Sequence, residues 1–417
     1  MAKSPTLTKA MRKLQAALFA AALLLAGCST LPELGKPAEK PASCPACAAC
    51  PVCPAVEKPV APPAFSRVFT PATWSDLPGW QDDAHAAAWP AFQQSCRGLR
   101  NRSGAEVWRQ ICALAETVDG KSDAAVRSFF ETHLQPHAVS PADTSAVDGM
   151  VTGYYEPLLL GSRKPGKNFA HPVHGVPDNL LTVELGDLFP ELKGKRVRGR
   201  VEGNKVVPYW PRGEILTQGD KLPAKTLAWV DDAIELFFLQ IQGSGRIRLP
   251  DGSMMRVNYA DQNGHPYRSI GRLLVERGDL KLEEASMQGI QAWARANPER
   301  LDELLNSNPS YVFFREMPAS NDGPIGALGV PLTAERSIAI DPRSIPLGAP
   351  VFLATTRPNS AQPLNRLVMA QDTGGAIRGA VRADFFWGFG KEAGALAGRM
   401  KQNGRIWVLL PQGYVPD

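Results

Sequence analysis

The sequence is poor in histidine, with six among 417 residues, and has no HExxH pair, so it lacks the ligands of a helix-borne catalytic zinc. Charge of one sign is also scarce. The formal net charge is +5, and without Lys3, Lys9, Arg12 and Lys13 the chain from residue 28 carries only +1, which excludes a strongly basic nucleic-acid binder. No apolar run reaches the roughly 20 residues of a membrane-spanning helix. Gly243-Ser244-Gly245 lacks the flanking pattern and the lysine of a phosphate loop. There is no internal repeat, and no cofactor-binding signature stands out.

What is present begins at the N-terminus. The four basic residues precede an apolar run from Leu14 to Ala26, the layout of a secretory signal. Its end, Leu25-Ala26-Gly27-Cys28, resembles the lipobox of bacterial lipoproteins, which implies cleavage before Cys28 and lipidation of its thiol; an ordinary signal with a chance cysteine is the other reading. Several acyl chains together hold a protein stably on a bilayer. Ser29, where lipoproteins retained in the inner membrane usually carry Asp, favours the periplasmic face of the outer membrane.

Residues 28–64 read as an extended tether rich in Pro, Ala and Lys. Within it, Cys44, Cys47, Cys50 and Cys53 repeat at CxxC spacing, a metal clip in principle, but an exported proline-rich setting favours local disulfides or a simple variation of the tether. Cys96 and Cys112 close two helical stripes, Ala88-Trp89-Phe92 and Val107-Trp108-Ile111, so an αα-hairpin either joins them as a disulfide or buries two thiols. The rest of 65–148 also reads as mainly helical. Beyond it, dense Gly and Pro punctuation favours β structure, with Lys205 to Trp210, Leu227 to Ile241 and Arg246 to Tyr259 as strands or hairpins. Helices return between Leu282 and Leu305, and the chain ends in the strand-like Arg405 to Leu410.

The densest run of unusual residues is Gln371-Asp372-Thr373-Gly374-Gly375, followed by Arg382-Ala383-Asp384-Phe385-Phe386-Trp387-Gly388. Two carboxylates with glycines between them and aromatics after suit a sugar-cleaving cleft, because glycine admits close ligand approach and flat rings stack on pyranoses. A hairpin whose aspartates cap turn amides is the plainer alternative. Asp341 in Ile340-Asp341-Pro342, Asp372 and Asp384 resemble the three aspartates of a 3D domain. Upstream, Gly153-Tyr154-Tyr155-Glu156-Pro157, Gln240-Ile241-Gln242-Gly243-Ser244-Gly245, Tyr259 to Gly271 and Asn308 to Phe314 resemble the membrane-bound lytic murein transglycosylase A family over roughly Leu77 to Leu410.

The resemblance implies a mainly β fold with N-terminal helices: a double-psi β-barrel made from residues 65–160 and 318–417, a second β-barrel-like domain inserted at 161–317, and a sugar groove between them. It implies that Asp384 is the catalytic acid and base. Asp372 and Asp341 read as groups that support it, with turn-capping the other reading of Asp341, and Tyr154, Tyr155, Gln242, Ser244 and Trp387 are candidates for binding substrate, with core or turn positions as their other reading. The implied substrate is the glycan strand of peptidoglycan, with other cell-wall enzymes as possible partners and no cofactor or metal. Asp384 has to be protonated before the cut, so partial burial against Phe386 or a bound sugar is expected to raise its pKa, and Arg382, on the same side of a strand, is expected to point at substrate or another acid. Three other readings stay open. A binding module without activity is one, an ordinary hydrolase a second, and an aspartic protease, from the single Asp372-Thr373-Gly374 triplet, a third.

Overall fold

The computed structural model describes residues 67–414 other than Ser145, Lys193, Gly194 and Arg196; Cys28, the signal segment and the Cys44 to Cys53 cluster lie outside the described residues. β1 (Arg67–Pro71) pairs antiparallel with β2 (Leu134–Pro141), and between them run α1 (His85–Leu99), α2 (Glu106–Leu114) and α3 (Asp123–His133). Trp89 and Phe92 of α1 meet Phe129 and Phe130 of α3 with ring centroids 5.1 to 6.1 Å apart. Burying one such side chain contributes about 1.5–3 kcal/mol, so this cluster fixes how the helices dock. Cys96 and Cys112 are joined as a disulfide between α1 and α2.

After β3 (Gly149–Glu156) the chain leaves through β4 (Leu158–Ser162), β5 (His171–His174), β6 (Leu181–Val183), β7 (Val197–Glu202), β8 (Lys205–Pro208), α4 (Arg212–Gln218), β9 (Thr226–Val230) and α5 (Ala233–Gln242). It continues through β10 (Ser244–Arg248), β11 (Met254–Gln262), α6 (Ile270–Glu276), α7 (Met287–Ala296), α8 (Leu301–Asn306) and β12 (Val312–Met317). It returns as β13 (Ser337–Ile340), β14 (Pro350–Thr356), β15 (Pro363–Thr373), β16 (Arg382–Phe389), α9 (Gly390–Ala397) and β17 (Lys401–Pro411).

The returning strands close on β3. β3 bonds to β17, β17 to β14, β14 to β15, β15 to β13, β13 to β16 and β16 back to β3, a closed barrel of six strands in a mainly β protein. Closure removes the free edges that invite association. Beyond its barrel pairings β17 also pairs with β2, which docks the N-terminal layer. The segment between β3 and β13 forms a six-stranded sheet, β12-β11-β10-β4-β9-β5, and a three-stranded one, β6-β7-β8.

The run Leu227 to Ile241, expected as strands, divides at Asp232, whose carboxylate accepts from the amides of Ile234 (2.9 Å) and Glu235 (3.4 Å) and caps α5. α5 buries Ile234, Leu236, Phe237, Phe238 and Leu239 almost all round, which erases the helical period a surface helix shows. Two arginines hold the excursion to the barrel. Arg246 of β10 donates to Glu156 (2.9 Å) and to the Asp322 carbonyl (3.0 Å); Arg256 of β11 donates to the carbonyls of Gly323 (2.7 Å) and Pro318 (3.4 Å).

Closing a loop of this length by a disulfide removes denatured-state entropy worth about 3 kcal/mol. Urea unfolding of the Cys96→Ser/Cys112→Ser protein is expected to show a loss of that order; an unchanged midpoint and slope contradicts it.

Candidate active site

Register across four adjacent strands assembles the acidic site. Ala339 of β13 pairs on one side with Asp372 of β15 and on the other with Asp384 of β16, and Asp384 pairs in turn with Thr152 of β3. Directly paired residues project to one face of a sheet. Asp372, Ala339, Asp384 and Thr152 therefore form a row, and the single methyl of Ala339 leaves space between the two carboxylates. Tyr154 and Phe386, one step along the same face, meet with rings tilted and centroids 5.2 Å apart and join Leu332, Ala339 and Ile377 in a small apolar floor.

A bulge aims Asp372. The β13–β15 register slips between Ile338 and Ala339, so Gln371 is the extra residue. It is fully buried: its Oε1 accepts from Ser337 Oγ (2.6 Å), and its Nε2 donates to the Ala91 carbonyl (2.7 Å) and Ser95 Oγ (3.0 Å) of α1. The next residue faces the site. Asp372 Oδ1 accepts from the Ala327 amide (2.9 Å) and Oδ2 from the Tyr154 hydroxyl (3.1 Å).

Asp384 is held more loosely. Its Oδ1 accepts from Thr152 Oγ1 (2.7 Å), and among the described residues no group donates to Oδ2. Arg382 does not point at an acid: its Nη2 donates to Thr152 Oγ1 (2.9 Å) and its Nη1 to the carbonyls of Met150 (3.3 Å) and Ala383. Being two residues before Asp384 on one strand face, its guanidinium meets the Thr152 hydroxyl before it can reach the carboxylate.

Burial raises the Asp384 carboxyl above the ordinary carboxylate value, against the opposing pull of the Thr152 hydrogen bond and the Arg382 charge. Burial pushes Asp372 up to about 6, opposed by the Ala327 and Thr373 amides and the Tyr154 hydroxyl and assisted by the negative charge of Asp384. Tyr154 is held far above its usual range by burial and by both aspartates, so it remains a donor.

Other residues singled out in the sequence lie elsewhere. Burial works to raise the Asp341 carboxyl, but hydrogen bonds from Arg343 Nη2 (2.7 Å) and Nε (3.0 Å) and from the Gly379 amide (3.0 Å) outweigh it and hold it low. It is fully buried and pins the loop that enters β16, as a turn anchor. Trp387 faces away from Asp384, its Nε1 3.2 Å from Met400 Sδ and its ring so close to Gly153 that a Cβ there would sit 2.6 Å from Nε1. Tyr155 alternates away from Tyr154 and packs against Gly394 of α9 and Met287. Gln242 accepts from the Tyr155 amide (3.1 Å), and Ser244 is buried opposite Asn258. Thr152 and Ala339 went unnoticed in the sequence. The alternation Thr152-Tyr154-Glu156 was the available signal for the first; nothing marks the second without the strand register.

Residues 150–315 match the family described as the MltA specific insert domain, and residues 336–410 the 3D domain. Membrane-bound lytic murein transglycosylase A of Escherichia coli K12 is 35% identical over 265 residues, which cover 62% of this chain and 64% of that protein's length. The crystal structure of MltA from Neisseria gonorrhoeae is 41% identical, with 86% of this chain and 96% of that one covered and a TM-score of 0.74. The structure of Escherichia coli MltA with bound chitohexaose is 28% identical, covers 85% and 93%, and has a TM-score of 0.58.

A carboxyl whose pKa is raised by folding costs stability above that folded value and nothing below the unfolded one, where both states are protonated. Asp384→Asn, which can still accept from Thr152, is therefore expected to raise the melting temperature at pH 8 by about 2 °C and not at pH 3.5. An equal gain at both pH values contradicts the raised pKa.

Proposed function

The chain belongs to the membrane-bound lytic murein transglycosylase A family, and from that premise we propose that it cuts the β-1,4 bond between N-acetylmuramic acid and N-acetylglucosamine of peptidoglycan without water. The observation that carries this reading is the half-engaged carboxyl of Asp384, one oxygen anchored by Thr152 and the other open to a ligand. Protonated, it gives its proton to the glycosidic oxygen as the C1–O bond breaks. The C6 hydroxyl of the same muramyl residue then bonds to C1, and its proton returns to Asp384. Every atom stays accounted for, the product carries a 1,6-anhydro ring, and no second carboxylate is needed to activate a nucleophile, unlike most glycosidases. An intramolecular nucleophile held in line is worth roughly 7–11 kcal/mol of the barrier.

In this scheme Asp372 keeps the 327 loop and Tyr154 in place beside the cut. Its two oxygens are already occupied, which speaks against the shared-proton pair of an aspartic protease. Asp341 sets the entry to β16. The barrel is of the double-psi kind, a reading supported by its two parallel pairings, β13 with β15 and β16 with β3. The excursion at 161–317 is a second domain between the barrel parts at 65–160 and 318–417, and the glycan lies between the two. Cys28 carries the lipid that holds the protein to the outer membrane facing the periplasm, supported by the residues before it and by the membrane-bound name of its relatives. No helix among the described residues is long and apolar enough to cross a membrane.

Digestion of purified sacculi by protein lacking residues 1–28 tests the reading: mass spectrometry is expected to show anhydro ends, one water lighter than hydrolytic ends, and none with Asp384→Asn. Hydrolytic ends or no release at all contradicts it. Because activity needs the protonated acid, the rate falls as pH rises through the Asp384 pKa. In an Arg382→Met background, where no guanidinium can take the place of the hydroxyl, Thr152→Val removes a hydrogen bond that favours the anion, so that fall moves to higher pH; a fall left in place, or moved down, contradicts the role of Thr152.

A further inference from the structure

The strand that carries Asp384 ends in an aromatic that the reaction above does not use. Phe385, Phe386 and Trp387 are buried, whereas Phe389 is 40% exposed. Its exposure is built in. The β16–β3 register slips between Phe386 and Phe389, and the residues on either side, Gly388 and Gly390, have φ of 106° and 87°, a region open to glycine and costly for other residues. The Arg246 guanidinium lies 4.4 Å from the centroid of the Phe389 ring. Arg246 is itself fixed, by the Glu156 carboxylate, whose side chain is 2% exposed, and by the Asp322 carbonyl. A lone exposed phenylalanine needs no explanation. One turned out by two glycines in backbone conformations closed to other residues, and backed by an immobilised cation, is a rigid, flat surface with little side-chain entropy left to lose on binding.

Its position bears on what it would meet. Phe389 pairs with Glu156 as Asp384 pairs with Thr152, four residues back along β3. At the strand rise the two positions are roughly 13 Å apart, and Thr152, Tyr154 and Glu156, every second residue of β3, share one face. A linear β-1,4 glycan laid along these strands with its scissile bond at Asp384 reaches Phe389 a few sugars from the cut.

We infer that Phe389, backed by Arg246 and Glu156, is a stacking platform for a pyranose ring of the bound glycan and makes the enzyme favour long strands over short ones. The inference rests on the glycan-cleaving reading, and it assigns a binding residue at a distance from the reacting atoms. The apolar face of the sugar ring covers the phenyl face that Arg246 leaves open.

Titration of chitotetraose and chitohexaose into the Asp384→Asn protein reads the platform without turnover. The hexamer is expected to bind about tenfold more tightly than the tetramer. Adding Phe389→Ala brings that ratio close to one, Phe389→Leu does the same because it keeps apolar bulk without a flat face, and Phe389→Trp preserves the preference. A parent ratio near one, a preference that survives Phe389→Ala, or one that survives Phe389→Leu overturns the inference. Sacculus digestion separates the two readings. Anhydro ends together with a ratio insensitive to Phe389 sink the platform alone, while a sensitive ratio without anhydro ends sinks the cleavage reading alone.

Discussion

One carboxyl group sits where solvent is mostly excluded, with a single hydrogen bond from Thr152 and an oxygen left over, and the rest of the site depends on that balance. More donors would favour the anion and empty the acid of its proton; with none, the side chain would have no fixed direction. Thr152 supplies the one anchor, and Arg382, which would pull the pKa down in direct contact, is turned onto Thr152 and backbone carbonyls. The balance is a product of strand register. β16 lies between β13 and β3, and a slip of one residue would send Asp384 into the apolar core and bring Ala383 or Phe385 to the site.

Neighbouring elements protect that register. Asp341 ties the loop before β16 through the Gly379 amide, and Gln371 spends every side-chain polar group it has on β13 and α1, leaving Asp372 to face the site. Asp372 in turn holds the 327 loop. A buried polar network of this kind works only when complete, so these residues act on the site without touching a ligand. The three aspartates are thus divided in work: one turn anchor held anionic, one loop anchor pushed up to about 6, and one partly free acid.

Much of this was legible before any coordinates. The carboxylates Asp372 and Asp384, set among glycines and aromatics, stand out from the background of the sequence, and Asp341 joins them through the resemblance to a 3D domain. Strand parity alone separates Asp384 and Phe386 from Trp387, and Tyr154 from Tyr155. What no local pattern carries is partner choice. That Ala339 separates the acids, that Thr152 touches Asp384 across 232 residues of chain, and that Gln371 bulges inward are facts of long-range pairing. α5 escaped for a different reason: a helix buried all round shows no polar face, so its apolar run looks like a strand until Asp232 is recognised as its cap.

The central claim is that Asp384 keeps its proton at a pH where an ordinary aspartate has lost it. Carboxyl carbon-13 shifts of aspartate-labelled protein, with the Asp384 signal identified by its absence from Asp384→Asn, measure that directly across a pH titration. A midpoint above the ordinary aspartate value agrees with an acid made by burial. A midpoint at or below it means that the threonine and arginine win over burial, and then this carboxyl cannot be the proton donor described.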